Sequence, residues 1–244
     1  MDKALFSYAL RMGDSTLVLA QRLGELTAHG PALEEELACA NTALDLLGQA
    51  RMWLTLAGET EGQGRDEDRL AYHRDAHEYT NYLLVERENG HYGDTLARQF
   101  LFDAWHCFLL EQLLQSTDEQ IRAIAQKAHK EVLYHLRRST DLIVRLGDGT
   151  AESHKRMQKA IDDAWFYLGE LFLDDEVTQE LAQRLAVPVM ACRWQPCVEY
   201  IPTALERATL RCPAEQDAQH KAYRGGPQGR HTEALGYLLA EMQH

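Results

Sequence analysis

Long apolar runs are missing from this chain. No stretch approaches the roughly 18 consecutive apolar residues of a membrane-spanning helix. The opening Met1-Asp2-Lys3 is not followed by the apolar core of a signal peptide. We therefore expect a cytoplasmic protein with no membrane association.

Positive charge is also scarce. The 244 residues contain 25 Lys and Arg against 38 Asp and Glu, for a formal net charge of −13. Nucleic acids and anionic membranes select clustered basic residues, so this balance argues against either as a general ligand. A protein partner with a basic face fits the charge better.

Familiar catalytic motifs are absent too. The chain has no Gly-x-Ser-x-Gly, no phosphate loop, no Gly-x-Gly-x-x-Gly and no Cys-His nucleophile arrangement. Its cysteines are odd in number and form no Cys-x-x-Cys pair, which favours small apolar packing residues over a metal or redox site; they are Cys39, Cys107, Cys192, Cys197 and Cys212. We therefore do not expect the chain to be an enzyme by itself.

The apolar residues recur at helical spacing along almost the whole chain. Helices are predicted at about residues 3–28, 32–58, 92–116 and 119–146, then at 151–172 and 233–243. A Gly-rich, charged crossover separates the second helix from the third and includes the extended-looking Tyr82–Val85. We therefore predict an all-α, up-up-down-down four-helix bundle with additional C-terminal helices. It is a single domain over 1–244, with a bundle core at about 3–147 and an extension at about 151–244.

The second predicted helix has two adjacent apolar rows. It should therefore be buried on much of its circumference and form the centre of the bundle. One row contains Leu37, Ala40, Leu44, Leu47 and Leu54, and the other contains Cys39, Ala43, Leu46, Ala50 and Trp53.

Two helices contain what resembles a metal-binding pattern without its ligands. In ferritin-like di-iron bundles, two helices each supply a Glu-x-x-His pair and two others each supply a carboxylate. Here the corresponding pairs read Leu46-x-x-Gln49 and Val132-x-x-His135, and an aspartate interrupts an apolar stripe of the third helix. Residues three apart share one helix face. We interpret Leu46, Gln49, Asp103, Val132 and His135 as vestigial di-iron positions, with no catalytic residue and no metal, and Asp45 as a buried polar partner.

Three alternatives stay open at this stage. Asp103 and His135 could be completed as a metal site by Gln49 and Asp45, although iron wants more carboxylates than this set provides. The chain could then be a self-sufficient di-iron enzyme or a ferritin-like store. Third, a basic, Gly-rich segment suggests a CoA-thioester-binding or regulatory module, or an anion or partner contact, through Lys221, Arg224 and Arg230 beside His220 and His231.

Dispersed motifs carry a resemblance to a known family. The chain resembles the non-catalytic, ferritin-like subunits of the multicomponent phenylacetyl-CoA 1,2-epoxidases of bacterial phenylacetate degradation. The resemblance covers nearly the whole length and rests on Leu10-Arg11-Met12-Gly13-Asp14, Gln21-Arg22-Leu23-Gly24-Glu25, Leu44 to Arg51, Leu84-Val85-Glu86, Asp103-Ala104-Trp105-His106, Tyr134-His135-Leu136-Arg137 and His231-Thr232-Glu233.

The resemblance implies a structural subunit that pairs with a catalytic di-iron paralogue and stabilises it. That paralogue would activate oxygen and epoxidise the aromatic ring, with electrons from NADPH delivered by a reductase subunit, while this chain would bind no cofactor itself. Against the catalytic pattern, two glutamates fall on Leu46 and Val132 and one histidine falls on Gln49, whereas Asp103 and His135 are retained. We expect a hydrophobic interface above roughly 2,000 Å² with the paralogue, and a homodimer of the isolated chain is left open.

Overall fold

The computed structural model describes residues 1–218 and 223–243, apart from the side chains of residues 190–193. These residues form α-helices, short 3-10 turns and loops, without a β-strand, so the predicted all-α class is confirmed. The helices are α1 Lys3–Gly24, α2 Leu33–Glu61, α3 Glu67–Tyr72, α4 Leu83–Glu86, α5 Tyr92–Leu113, α6 Glu119–Gly147, α7 Ala151–Leu168, α8 Glu176–Leu185, α9 Met190–Arg207, α10 Glu215–Ala218 and α11 Glu233–Met242.

Side-chain caps set the start of two long helices. The Asp2 carboxylate accepts a hydrogen bond from the Leu5 amide, and Asp118 does the same for Gln120 and Ile121 at the start of α6. Each cap satisfies amide groups that lack a partner inside the helix. The interpretation of Tyr82–Val85 as extended is wrong, because Leu83–Glu86 forms one buried turn of helix.

The described residues divide into two compact units. The amino-terminal unit contains Met1–Asn89, Asp175–Gln183 and Arg224–His244, and the central unit contains Gly90–Asp174 and Arg184–Tyr223. A boundary at residue 89 falls inside the stretch 3–147 that the sequence assigned to one bundle core. The single domain over 1–244 therefore stays a prediction.

In the amino-terminal unit, α1 packs along α2 as an antiparallel hairpin. The eight connecting residues between Gly24 and Leu33 span at most about 28 Å. A parallel arrangement would need them to cover the full length of α1, about 33 Å. The first two helices therefore run in opposite directions, an up-down start in place of the expected up-up one.

Only one of the two apolar rows of α2 is buried along its whole length, because the other is buried at Leu54 but exposed in its N-terminal half. Cys39, Ala43, Leu46, Ala50 and Trp53 are at most 6% exposed, and the Trp53 ring meets the Tyr8 ring of α1 edge to face. On the other row, Leu37 is 56% exposed and Leu44 is 65% exposed. The expectation that both rows are buried is therefore wrong.

The buried carboxylate of Glu86 holds the C-terminal segment against the amino-terminal unit. It accepts hydrogen bonds from Asn81 Nδ2 at 3.1 Å and from the Thr232 amide at 2.7 Å. His231 Nδ1 lies 2.8 Å from the same carboxylate, and His231 Nε2 lies 2.8 Å from the Tyr79 carbonyl oxygen.

Both neighbours of the His231 ring are acceptors only, so both ring nitrogens must donate. Burial acts to lower the pKa of His231, but the hydrogen bonds to Glu86 and Tyr79 outweigh it and raise the pKa. The raised pKa favours the imidazolium form of His231, which pairs with the buried Glu86 carboxylate.

Two arginines and a glutamine add to this attachment. Arg22 donates from Nη2 to the carbonyls of Glu86 and Ala234, both at 2.9 Å, and so joins α1 to α4 and α11. Gln243 donates to the Arg74 carbonyl at 2.8 Å, while the Arg74 guanidinium forms a buried ion pair with Asp14. These bonds explain how polar side chains are tolerated in the unit's interior.

In the central unit, α5 is the buried helix, and α6, α7 and α9 all pack against it. The Trp105 indole donates to the Leu171 carbonyl at 2.9 Å and so joins α5 to the 3-10 turn Gly169–Phe172 that follows α7. Across residues 1–218 and 223–243, no helix combines the length and apolarity needed to cross a bilayer.

Candidate functional site

A polar cluster lies between α5 and α6 of the central unit, around the carboxylate predicted from sequence. Asp103 is 1% exposed. Gln99 Nε2 donates to its Oδ1 at 2.6 Å, and Ser139 Oγ donates to its Oδ2 at 2.8 Å. Each carboxylate oxygen thus already accepts a hydrogen bond from a protein donor.

The environment of Asp103 changes its ionisation. Burial raises its pKa from 3.8 to about 6, and the effect is only partly offset by His135 and by the hydrogen bonds from Ser139 and Gln99. Desolvation disfavours the charged form, whereas nearby positive charge and donors favour it. Asp103 therefore titrates close to neutral pH.

Val132 and His135 occupy one buried face of α6, as their spacing predicted. Val132 is fully buried and His135 is 2% exposed. His135 acts electrostatically on both Asp103 and His106, so the structure brings Asp103 and His135 together. At Val132, where the di-iron pattern has a glutamate, the side chain has no donor atom.

His106 is a member of this cluster that was not predicted from the sequence. It is fully buried, and neither ring nitrogen has a hydrogen-bond partner among the described residues. Its ring packs against Phe102 and Trp105 at centroid distances of 5.1 and 5.9 Å. Burial, with a smaller effect from His135, lowers its pKa to about 3, so His106 is a neutral packing residue.

The other two vestigial positions lie in the amino-terminal unit. Leu46 and Gln49 are both fully buried on α2, one turn apart, so the prediction that they share a face is confirmed. Asp45 is only half-buried, and its expected role as a buried polar partner stays a prediction. The helix turns its side chain away from the row that contains Leu46.

Sequence reasoning also missed Gln99. It precedes Asp103 by four residues on α5, the spacing at which helical side chains meet, and this was the signal that could have identified it. Ser139 lies one turn after His135 on α6, but its bond to Asp103 could not be deduced without knowing how α5 and α6 align.

The donor set does not fit a di-iron centre. No group of three or more His, Cys, Asp or Glu side chains is placed to hold a metal ion within the described part of the chain. Leu46 and Val132 offer no ligand atom, and both oxygens of Asp103 are engaged by neighbours. Di-iron sites in such bundles use several carboxylates to offset the metal charge.

The basic segment predicted to form an anion or partner contact is only partly described. Lys221 and His220 lie outside the described residues. Arg224 is half-buried and Arg230 is exposed, whereas His231 is engaged by Glu86 and Tyr79. The histidine is therefore not available to bind a phosphate group.

A separate cleft opens between α5, α6 and α9. Its volume is about 480 Å³, within the usual range for ligand sites. Apolar side chains form part of its lining, and the Thr140 and Tyr200 hydroxyls are hydrogen-bonded at 2.8 Å. Its acidic and basic residues are mixed and select no single ligand charge; they are Glu111, Arg137, Asp141 and Arg207.

Comparison with known proteins agrees with the resemblance seen in the sequence. Residues 1–244 match the family described as "Phenylacetic acid catabolic protein". Over 244 residues the chain is 48% identical to one of the subunits of the 1,2-phenylacetyl-CoA epoxidase of Escherichia coli (strain K12), an alignment that covers 98% of this chain and 95% of that protein. The chain therefore belongs to the phenylacetic acid catabolic protein family, whose ferritin-like, all-α class its helices share.

Proposed function

We propose that the chain is a structural, non-catalytic subunit of a phenylacetyl-CoA epoxidase in phenylacetate catabolism. In this role it pairs with a di-iron catalytic paralogue and stabilises it, while a reductase and further proteins complete the complex. The Escherichia coli relative is named as an epoxidase subunit, and its identity along nearly the whole of both chains supports membership of such a complex.

One observation carries the non-catalytic part of the proposal. Asp103, the carboxylate retained from the di-iron pattern, is hydrogen-bonded through both oxygens to Gln99 and Ser139. On the adjacent helix, the carboxylate expected one turn before His135 is replaced by the fully buried Val132. Both oxygens of the Asp103 carboxylate are thus satisfied by protein donors, which is the arrangement expected of a buried polar group in a packed core.

Reconstitution of the epoxidase tests the proposal. Omitting this chain should abolish or sharply reduce turnover, whereas including His135→Ala should leave turnover nearly intact if the fold survives. The melting temperature and assembly of the variant serve as controls. A hundredfold loss of turnover with unchanged assembly and melting temperature would show that His135 takes part in chemistry.

Iron analysis separates the structural role from that of a self-sufficient di-iron protein or a ferritin-like store. The purified chain, loaded with ferrous iron and then desalted, should retain far less than one iron per chain. Retention of two irons, with an oxo-bridged absorption band, would support the di-iron alternative instead.

The CoA-thioester alternative is weaker because His231 is held in its ion pair with Glu86. Equilibrium dialysis of the isolated chain against phenylacetyl-CoA tests it directly. We expect no saturable binding. Saturable binding that is lost in Arg224→Ala/Arg230→Ala would favour the alternative.

A further inference from the structure

Helix α2 carries two apolar rows with the same alternating spacing of four and three residues. The first is the row at 39, 43, 46, 50 and 53, which is buried and faces α1. The second, here called the outer row, consists of Leu33, Leu37, Ala40, Leu44 and Leu47. Both rows follow the 3.5-residue period with which one helix packs against another in a coiled coil.

The outer row is open to solvent. Leu33 is 67% exposed, Leu37 is 56% exposed and Leu44 is 65% exposed, while Ala40 and Leu47 are half-buried. Single apolar residues on a surface are ordinary, but a continuous row of them marks an interaction site. From residue 33 to residue 47 the row is about 21 Å long, enough for four turns of a docked helix.

A groove continues the outer row at its C-terminal end. Its volume is about 240 Å³, and it lies between α1, α2 and α3, with Leu47 and Ala50 on one side and Ala71 and Tyr72 on the other. The space beside Gly48 is also open, because no atom lies within 4 Å of the position of an added Cβ. A second backbone can therefore approach α2 closely at this point.

Charge indicates what kind of helix fits. Helix α2 contains six acidic residues and one basic residue, Arg51. Arg51 is paired with Glu67 of α3 at 3.0 Å, and Glu67 and Asp68 both line the groove. The surroundings of the outer row are therefore acidic, and complementary charge across an interface favours a basic partner.

The same charge disfavours a second copy of this chain on the outer row. In a two-fold dimer the identical patch meets itself, which would place the acidic N-terminal turn of α2 and the groove acids near their own equivalents. Like charges facing one another across an interface are costly. The face therefore suits a different chain.

We propose that the outer row of α2 is the docking face for an amphipathic helix of another chain, with an apolar row of 3.5-residue period flanked by Lys and Arg. This inference rests on the proposed function, and the helix belongs to the di-iron catalytic subunit of the same complex. Its apolar row packs on Leu37 and Leu44, and its basic flanks face Glu34 and the groove acids Glu67 and Asp68.

To test the docking face, the affinity of each variant of this chain for the purified catalytic subunit is measured by calorimetry. Leu37→Ala/Leu44→Ala should weaken binding at least tenfold, as truncation of central apolar contacts commonly does. The charge of the partner is tested by comparing Leu44→Lys with Leu44→Glu, which introduce side chains of similar polarity and opposite charge. Lys should weaken binding more than Glu, because it brings a positive charge close to the basic flanks of the partner helix.

The matched control is Tyr237→Lys, which alters an exposed apolar residue of α11 in the same unit and should leave binding unchanged. All the changed side chains are more than half exposed in the isolated chain, so melting temperatures should stay within a degree or two of the wild type.

The possible outcomes distinguish a wrong docking face from a wrong proposed function. If the wild type does not bind the catalytic subunit, the proposed function fails and this inference fails with it. If the wild type binds and Leu37→Ala/Leu44→Ala binds equally well, the face is wrong while the function stands. Greater damage by Glu than by Lys overturns the basic partner. Self-association of the isolated wild-type chain that Leu37→Ala/Leu44→Ala abolishes overturns the choice of a different chain.

Discussion

At the scale of single residues, His231 gives the clearest dependence on pH. Its pKa in the folded protein is raised above the ordinary 6.5, so its ion pair with Glu86 stabilises fully below pH 6.5 and is lost as the pH rises through the folded pKa. The free energy of unfolding lost in His231→Gln should therefore be largest at pH 6 and smaller at high pH. Urea unfolding across this range measures the loss, with His77→Gln on the exposed surface as the control. A loss that is constant across the range would show that folding does not raise the pKa of His231.

Asp103 should also link stability to pH. Its pKa is raised from 3.8 to about 6, so its favourable contribution is complete below pH 3.8 and is lost as the pH rises through 6. Two pKa units correspond to roughly 3 kcal/mol. Asp103→Asn cannot ionise, so its stability relative to the wild type should rise between pH 4.5 and pH 7.5. Parallel chemical unfolding of both proteins checks this, and a falling relative stability would contradict the raised pKa.

At the scale of helices, two glycines should respond oppositely to alanine. A Cβ on Gly13 would lie 2.6 Å from Leu54 Cδ2, whereas a Cβ on Gly48 would meet nothing within 4 Å. Gly13→Ala should destabilise by roughly 1–3 kcal/mol through overpacking of α1 against α2, and Gly48→Ala should stabilise the isolated chain by about 0.5–1 kcal/mol. Thermal and urea unfolding of both variants decides this. Equal effects would mean that α1 and α2 are not in close contact at Gly13.

The helices also show what sequence could and could not predict. Periodicity located α6 closely, at about 119–146 against the observed Glu119–Gly147, because it is a local signal. The exposure of Leu44 could not be predicted, because its row is as apolar as the row of Leu46 and only the position of α1 distinguishes them. The bond from Gln99 to Asp103 was predictable from spacing, whereas the pairing of Glu86 with His231 joins residues 145 apart and leaves no local pattern.

At the scale of the whole molecule, the C-terminal segment should be essential to the amino-terminal unit. Removing residues 224–244 would take away two of the donors to the buried Glu86 carboxylate and an acceptor for Arg22. A buried charge without its partners costs several kcal/mol. The truncated chain should therefore melt at a lower temperature and be cleaved faster by protease between residues 70 and 90. Removal of His244 alone is the control, and an unchanged cleavage rate in the longer truncation would show that the segment is dispensable.

The attachment of the last residues to the first unit also affects the order of events during synthesis. A ribosome releases α1 and α2 early, but Glu86 cannot meet His231 until the following 145 residues have been made. The hairpin of α1 and α2 therefore forms, with its acidic, leucine-rich outer row, before the Glu86 carboxylate is paired. The central unit, which ends at Tyr223, can fold in the meantime. A chain terminated before His231 would never form this contact, so completion of the amino-terminal unit requires that synthesis has passed this residue.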